Sequence, residues 1–227
     1  TAINADGFGL AWYAQRPAPG LYRDVYPAWS DPNLRSLAEQ VKARLFLAHV
    51  RASTGTATSR NNCHPFVSGT WSFMHNGQVG GFERLRKRAD MMIPDRLYSH
   101  RKGATDSEAL FLVACGMGLH GDPKAGMERA VTAFEVEAHR ENATPAMRMA
   151  AALADGQRLY AIRYAADAFA PSLYYRWNDV WNGWSVASEP FDATDAAWID
   201  VPKGGFCTFE GNRVQIEDFN VTARCVA

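Results

Sequence analysis

Thr70-Trp-Ser-Phe-Met-His-Asn-Gly-Gln-Val79 carries the pattern from which the fold is read. Trp71, Phe73 and His75 alternate with Ser72 and Met74, the two-residue period of a strand whose side chains point to opposite faces. His75-Asn76-Gly77 then reads as the turn that ends this strand. Asn-Gly between apolar runs is a hairpin signal, because both residues tolerate positive φ. The same pair suits an oxyanion hole: an Asn carboxamide and the next Gly amide can aim at one oxygen, and Gly admits a substrate close to the backbone. Locally the hairpin is the simpler reading, and the flanking sequence is what shifts the balance.

The 227 residues suffice for one large domain or two small ones with a substantial core. Hydrophobic residues at 47% and charged residues at 21% describe an ordinary globular chain. The 24 Lys and Arg balance the 24 Asp and Glu, so no net field draws in nucleic acid or an anionic membrane. No apolar run approaches the ~18 residues of a membrane span, and no secretory pattern opens the chain. Cys63, Cys115, Cys207 and Cys225 form no CxxC pair, which fits reduced thiols in a cytoplasmic protein. The six His include no HExxH-type spacing, so neither a metal nor another cofactor is expected.

The chain opens without Met and runs almost at once into a strand at residues 8–13, which leads us to expect an upstream segment. Gly7 and Gly9 flank Phe8 where backbone must pass close to something. Asp31 and Pro32 read as N-cap and first position of a helix. Residues 45–52, Leu-Phe-Leu-Ala-His-Val-Arg-Ala, read as a strand buried on both faces, with His49 and Arg51 on one side. A buried Arg51 needs a partner: an internal carboxylate, or a substrate carboxylate held by its planar fork. Residues 53–62 form a polar loop suited to shaping a pocket. Cys63 reads as packing, and Pro65 holds His64 extended.

Residues 82–89 read as a basic amphipathic helix. Thr105 and Glu108 fit a capping box that opens a helix of about three turns. Asp106 sits in its first turn, where the helix dipole favours a carboxylate; it either complements the dipole or binds a substrate ammonium. Gly116-Met-Gly-Leu-His-Gly121 matches GxGxxG, but a helix rather than a strand precedes it, so a dinucleotide site is a weak reading. Residues 122–140 form an amphipathic helix, and Thr144-Pro145 recaps a second helix ending before Gly156. Six strand-like runs follow, at residues 158–165, 172–177, 184–188, 197–201, 206–210 and 214–218. Strands, then consecutive helices, then strands predict one α+β domain of antiparallel sheets with helices outside.

Five motifs in order then carry a resemblance: Asn4-Ala-Asp-Gly-Phe-Gly-Leu-Ala-Trp-Tyr13, His49-Val-Arg-Ala-Ser-Thr54, Asn62-Cys-His-Pro-Phe66, Phe73-Met-His-Asn-Gly77 and Thr105-Asp-Ser-Glu108. Together with Val186-Ala-Ser-Glu-Pro190, they resemble the class II glutamine amidotransferases. The nearest likeness is to the stand-alone bacterial branch that includes the γ-glutamyl hydrolase of ergothioneine synthesis. The resemblance implies an N-terminal-nucleophile hydrolase fold, a four-layer αββα sandwich, over a single glutaminase-type domain spanning residues 1–227. It gives Asn76 and Gly77 the oxyanion hole, Arg51 the α-carboxylate of glutamine, and Asp106 the α-ammonium. His75 and Thr54 would line the substrate, with His49 and Glu108 in support; the alternative for His75 is to orient the turn.

The family's nucleophile is an N-terminal cysteine whose free amine, of pKa ~7.7–8, takes the thiol proton. It is absent here, and Thr1 stands too close to Asp6 to replace it. The expected enzyme therefore has its first strand and nucleophile upstream of this chain. It would act on glutamine or a γ-glutamyl small molecule, alone or beside a separate synthase subunit that uses the ammonia. The alternatives are a catalytically inactive γ-glutamyl-binding subunit and an N-terminal-nucleophile acylase for another amide.

Overall fold

The computed structural model describes residues 4–52, 57–192 and 198–222. Thr1, Thr54 and Cys225 fall outside these. The first sheet is built from β1 (Phe8–Tyr13), β2 (Gly20–Asp24) and, after helix α1 (Pro32–Gln40), β3 (Leu45–Val50), in the order β2-β1-β3. β4 (Phe66–Ser68) and β5 (Trp71–Val79) open a second sheet, and four helices follow. These are α2 (Phe82–Met91), α3 (Asp95–Tyr98), α4 (Asp106–Gly116) and α5 (Pro123–Arg140). β6 (Met147–Ala154) and β7 (Leu159–Ala165) return to the second sheet. β8 (Tyr174–Asn178), β9 (Gly183–Ala187) and β10 (Ile199–Asp200) make a small third sheet before β11 (Gly205–Glu210) and β12 (Arg213–Asp218). The second sheet runs β12-β11-β7-β6-β5-β4, and every pairing is antiparallel.

Alternation along β6 shows how the layers stack. Met147, Met149, Ala151 and Leu153 join the cluster containing Leu85, Phe111 and Phe134, which packs the sheet on α2, α4 and α5. Ala150, Ala152 and Ala154 face the other way: Ala150 meets Leu173 and Tyr175, while Ala152 and Ala154 meet Tyr13 and Leu47. One face of the six-stranded sheet thus carries the helices and the other carries both small sheets. The described residues thus form the expected α+β arrangement of stacked antiparallel sheets with helices outside. Helix α1 buries none of its side chains. Its start is as read: Asp31 Oδ1 accepts the Asn33 and Leu34 amides at 2.7 and 2.9 Å.

Three expectations need correcting. The Ala-rich run at residues 147–154 is strand β6 rather than a helix. It lies mid-sheet, between helices and a second sheet, and small side chains on one face let that sheet approach, so packing overrides Ala's helix propensity. β3 is not buried on both faces: it is an edge strand, with Phe46 62% exposed and only Leu47 fully enclosed. Asn76-Gly77 is not a turn. β5 continues to Val79 and pairs with β6 throughout, with Asn76 opposite Ala150 and Gly77 opposite Met149.

Gly77 has φ +154°, and a Cβ there would lie 2.0 Å from the Arg148 carbonyl oxygen. The strand passes through this position because the residue is Gly. Gly77→Ala should therefore lower stability by roughly 2–4 kcal/mol from strain and overlap, a melting temperature about 5–15 °C lower. Gly211→Ala, at φ +56° in open space, is the control and should cost about 1 kcal/mol. Equal losses in thermal melts of the two variants would contradict the steric account.

Candidate active site

β4 covers β5 only at Trp71–Phe73, so among the described residues the rest of that edge of β5 has no neighbouring strand. Ladder parity says which amides face it. Gly80 donates to the Ala146 carbonyl on β6, so even-numbered residues pair inward and Gly77 and Val79 turn outward. The Val79 amide is taken by Asp106 Oδ2 at 2.8 Å. The Asn76 side chain, exposed, lies on the face opposite His75, above the gap between the first and second sheets.

Asp106 opens α4. Its Oδ1 accepts the Ser107 amide at 2.7 Å, so one carboxylate joins helix start to strand edge and keeps lone pairs for a further donor. The Thr105 hydroxyl accepts the Glu108 amide at 3.2 Å, the first half of the predicted capping box. The other half differs. The Glu108 carboxylate binds Arg101 Nη1 at 2.8 Å and the Gly103 amide at 2.8 Å, bracing the loop before α4 instead of reaching the site.

His75 is buried and held at both ring nitrogens. Nε2 lies 3.2 Å from the Arg148 carbonyl, which can only accept, so Nε2 carries the proton. Nδ1 then accepts the Ser107 hydroxyl at 2.9 Å. Burial holds its pKa below the ordinary value, against the opposing pull of Asp106, so the ring is neutral. His75 fixes β5 on α4 and has no nitrogen left over for a ligand. Ser107, which completes this link, lies 32 residues away in sequence, and no local pattern connects the two.

Across the gap, Leu47 points into the inter-sheet core, and alternation brings His49 inward as well. Arg51 follows just beyond β3, only 5% exposed. Its amide donates to the Gly7 carbonyl at 2.8 Å, and Nη1 reaches the Asp6 carbonyl at 3.3 Å. The charge of Arg51 acts on His49, and that of Asp106 on His75. His64 was not singled out from sequence. Its ring lies 4.4 Å from that of His49, beneath β1, where a Cβ on Gly9 would meet the His64 carbonyl oxygen at 2.2 Å. That close passage is what Gly7-Phe8-Gly9 foreshadowed.

No described cysteine suits a nucleophile. Cys63, Cys115 and Cys207 are unbridged and buried, and burial pushes all three thiols up, Cys115 and Cys207 to about 12. Among the described residues no cluster could hold a metal ion, and no helix is long and apolar enough to cross a membrane. Gly116–Gly121 lies between α4 and α5 without a strand before it, which removes the context a dinucleotide fingerprint needs. A cavity of about 450 Å³ lined by Arg23, Phe66, Lys102 and Phe111 includes none of Arg51, Asn76, Gly77 or Asp106.

Residues 1–169 match the family described as Glutamine amidotransferases class-II. The chain belongs to the class II glutamine amidotransferases. It is 40% identical over 114 residues to a probable glutamine amidotransferase, DUG3, of Saccharomyces cerevisiae, covering 48% of this chain and 32% of that protein. The chain thus spans about a third of the yeast relative's length. Over 202 residues it is 29% identical to the gamma-glutamyl-hercynylcysteine sulfoxide hydrolase of Mycolicibacterium smegmatis, covering 88% of this chain and 75% of that protein. A glutamine aminotransferase class-II domain protein from Silicibacter pomeroyi superposes with TM-score 0.88 at 50% identity, over 94% of this chain and 92% of that one. The glutamine phosphoribosylpyrophosphate amidotransferase of B. subtilis, at 17% identity and TM-score 0.70 over 96% of this chain and 44% of that one, shares the fold.

The buried histidines give the amidotransferase core an acid sensitivity. His49 is half-buried overall, but its Nδ1 is fully enclosed, and burial with the Arg51 charge lowers its pKa from 6.5 to about 4. The unfolded chain takes up this proton near the ordinary value and the folded chain only near 4. Stability from this group is thus complete above pH ~6.5 and lost as pH falls toward 4, about 3 kcal/mol in all. His64 and His75 act in the same sense. Urea midpoints between pH 7 and 4.5 should fall less steeply for His49→Phe than for the parent; parallel slopes would refute the assignment.

Proposed function

We propose that the chain is the glutaminase-type domain of an enzyme that hydrolyses the γ-amide of glutamine or of a γ-glutamyl compound in the cytoplasm. One observation carries this reading: a buried cation and a fixed carboxylate, Arg51 and Asp106, flank a strand edge that presents Asn76 and Gly77. An α-amino acid head group needs one cation and one anion at fixed positions. Arg51 takes the α-carboxylate, Asp106 the α-ammonium, and the Asn76 carboxamide and Gly77 amide the developing oxyanion. His75 orients the strand that carries them. The name of the M. smegmatis relative supports a γ-glutamyl substrate, and the unbridged cysteines agree with a reducing compartment.

In this reading the nucleophile is a cysteine thiolate other than Cys63, Cys115 and Cys207, all three of which are enclosed. Its sulfur adds to the γ-carbonyl carbon, and the C–N bond breaks as the amine leaves with a proton. Water then cleaves the thioester, releasing glutamate and returning the thiol. The ammonia or amine either leaves to solvent or passes to a separate acceptor subunit.

A diazoketone analogue of glutamine, applied to the full-length protein, tests this. We expect one adduct on a cysteine other than Cys63, Cys115 and Cys207, blocked by excess glutamine. Asn76→Ala should slow turnover about 10²–10³-fold while leaving the affinity for the amide substrate comparatively intact. Labelling at Cys63, Cys115 or Cys207 would overturn the nucleophile assignment, and no labelling would favour a γ-glutamyl-binding subunit.

A further inference from the structure

The cavity of about 450 Å³ between β2, β4 and α4 falls within the range of small-molecule sites. Its floor is apolar, for Phe66 and Phe111 are buried in the core behind it. Its rim is basic. His100 and Lys102 are exposed on the loop before α4, and Arg23, half-buried, reaches in from β2. Arg23 stands opposite Gly9 in the first sheet, where a Cβ on Gly9 would meet Arg23 Cγ at 2.7 Å. The arginine stem lies across β1 because residue 9 has no side chain.

The charges around this rim do not cancel. Arg23 Nη1 donates to the Cys63 carbonyl at 3.0 Å, and neither Arg23 nor Lys102 forms an ion pair among the described residues. Glu108, the one acid in the lining, is already taken by Arg101 Nη1 at 2.8 Å and by the Lys102 and Gly103 amides at 3.1 and 2.8 Å. Burial pulls the Arg23 pKa below its ordinary value even though the Glu108 charge opposes this. Such a cation, partly withdrawn from water, gains from an anion brought to it.

We propose that this cavity binds a small phosphate monoester of an apolar alcohol, its hydrocarbon part over Phe66 and Phe111 and its phosphoryl group between Arg23 and Lys102. Charge selects the anion. Two uncompensated cations face the rim, and a phosphate monoester carries about −1.5 to −2 at neutral pH, where a carboxylate carries about −1. Arg23 offers a planar fork to two phosphoryl oxygens, and Lys102 a point charge on a flexible stem. Free phosphate would leave the apolar floor uncovered. The site goes beyond the γ-glutamyl reading and does not depend on it.

Phenyl phosphate is the probe, titrated calorimetrically into the full-length protein at low salt and slightly alkaline pH. We expect saturable binding with a Kd of about 10–500 μM. Inorganic phosphate, without the ring, and phenol, without the charge, should each bind at least about tenfold more weakly. Arg23→Gln should raise the Kd about tenfold or more, and Lys102→Gln, at an exposed position away from the core, about three- to tenfold. Should Arg23→Gln fail to fold, the Lys102→Gln result decides. No saturable binding below about 10 mM, or a Kd within about twofold of the parent in the variants that fold, overturns the site. Benzoate binding as tightly as phenyl phosphate overturns the assignment of a phosphoryl group.

Discussion

Asp106 takes the Val79 amide with one carboxylate oxygen and the Ser107 amide with the other, while Ser107 holds His75 from the same turn. These bonds fasten the first turn of α4 to the free edge of β5. α4 itself is buried from Ser107 through Cys115, and Phe111 stacks on Phe73 at 5.4 Å with the rings 9° from parallel. A helix enclosed on all sides has no freedom to slide. The strand edge carrying Asn76 and Gly77 is therefore positioned by core packing and not by a loop, the arrangement that holds an oxyanion hole rigid.

The opposite wall is built on different terms. Arg51 lies beyond the last residue of β3, tied through its amide to Gly7. Its sheet meets the rest of the molecule through Tyr13, whose hydroxyl reaches the Thr70 carbonyl, Ser72 Oγ and the Ala154 carbonyl at 2.8–2.9 Å. This buried junction, together with Leu47 and the alanines of β6, sets the spacing between the two sheets. Arg51 and the strand edge carrying Asn76 and Gly77 thus belong to separate sheets, and the core between them fixes their separation.

Much of this was legible in the sequence because the signals are local. The Asp31 cap, the Thr105 cap and the period-two strands of the last seventy or so residues each depend on neighbours along the chain. β6 was not legible: Met-Arg-Met-Ala-Ala-Ala-Leu-Ala reads as helix until both of its faces are known to be covered. The same holds for Asn76-Gly77, whose turn signal is cancelled by pairing with β6. Arg51, Asp106, Asn76 and Gly77 were reached as residue types before any geometry was known. Ser107 was not, since its significance lies in a hydroxyl brought from a distant helix.

The most direct measurement is the crystal structure of this chain with bound L-glutamate. The account predicts the α-carboxylate on Arg51, the ammonium on Asp106, and a γ-carboxylate oxygen about 3 Å from both the Asn76 carboxamide nitrogen and the Gly77 amide. Glutamate bound in the reverse sense, or seated in the cavity beside Arg23 and Lys102 instead, would contradict it.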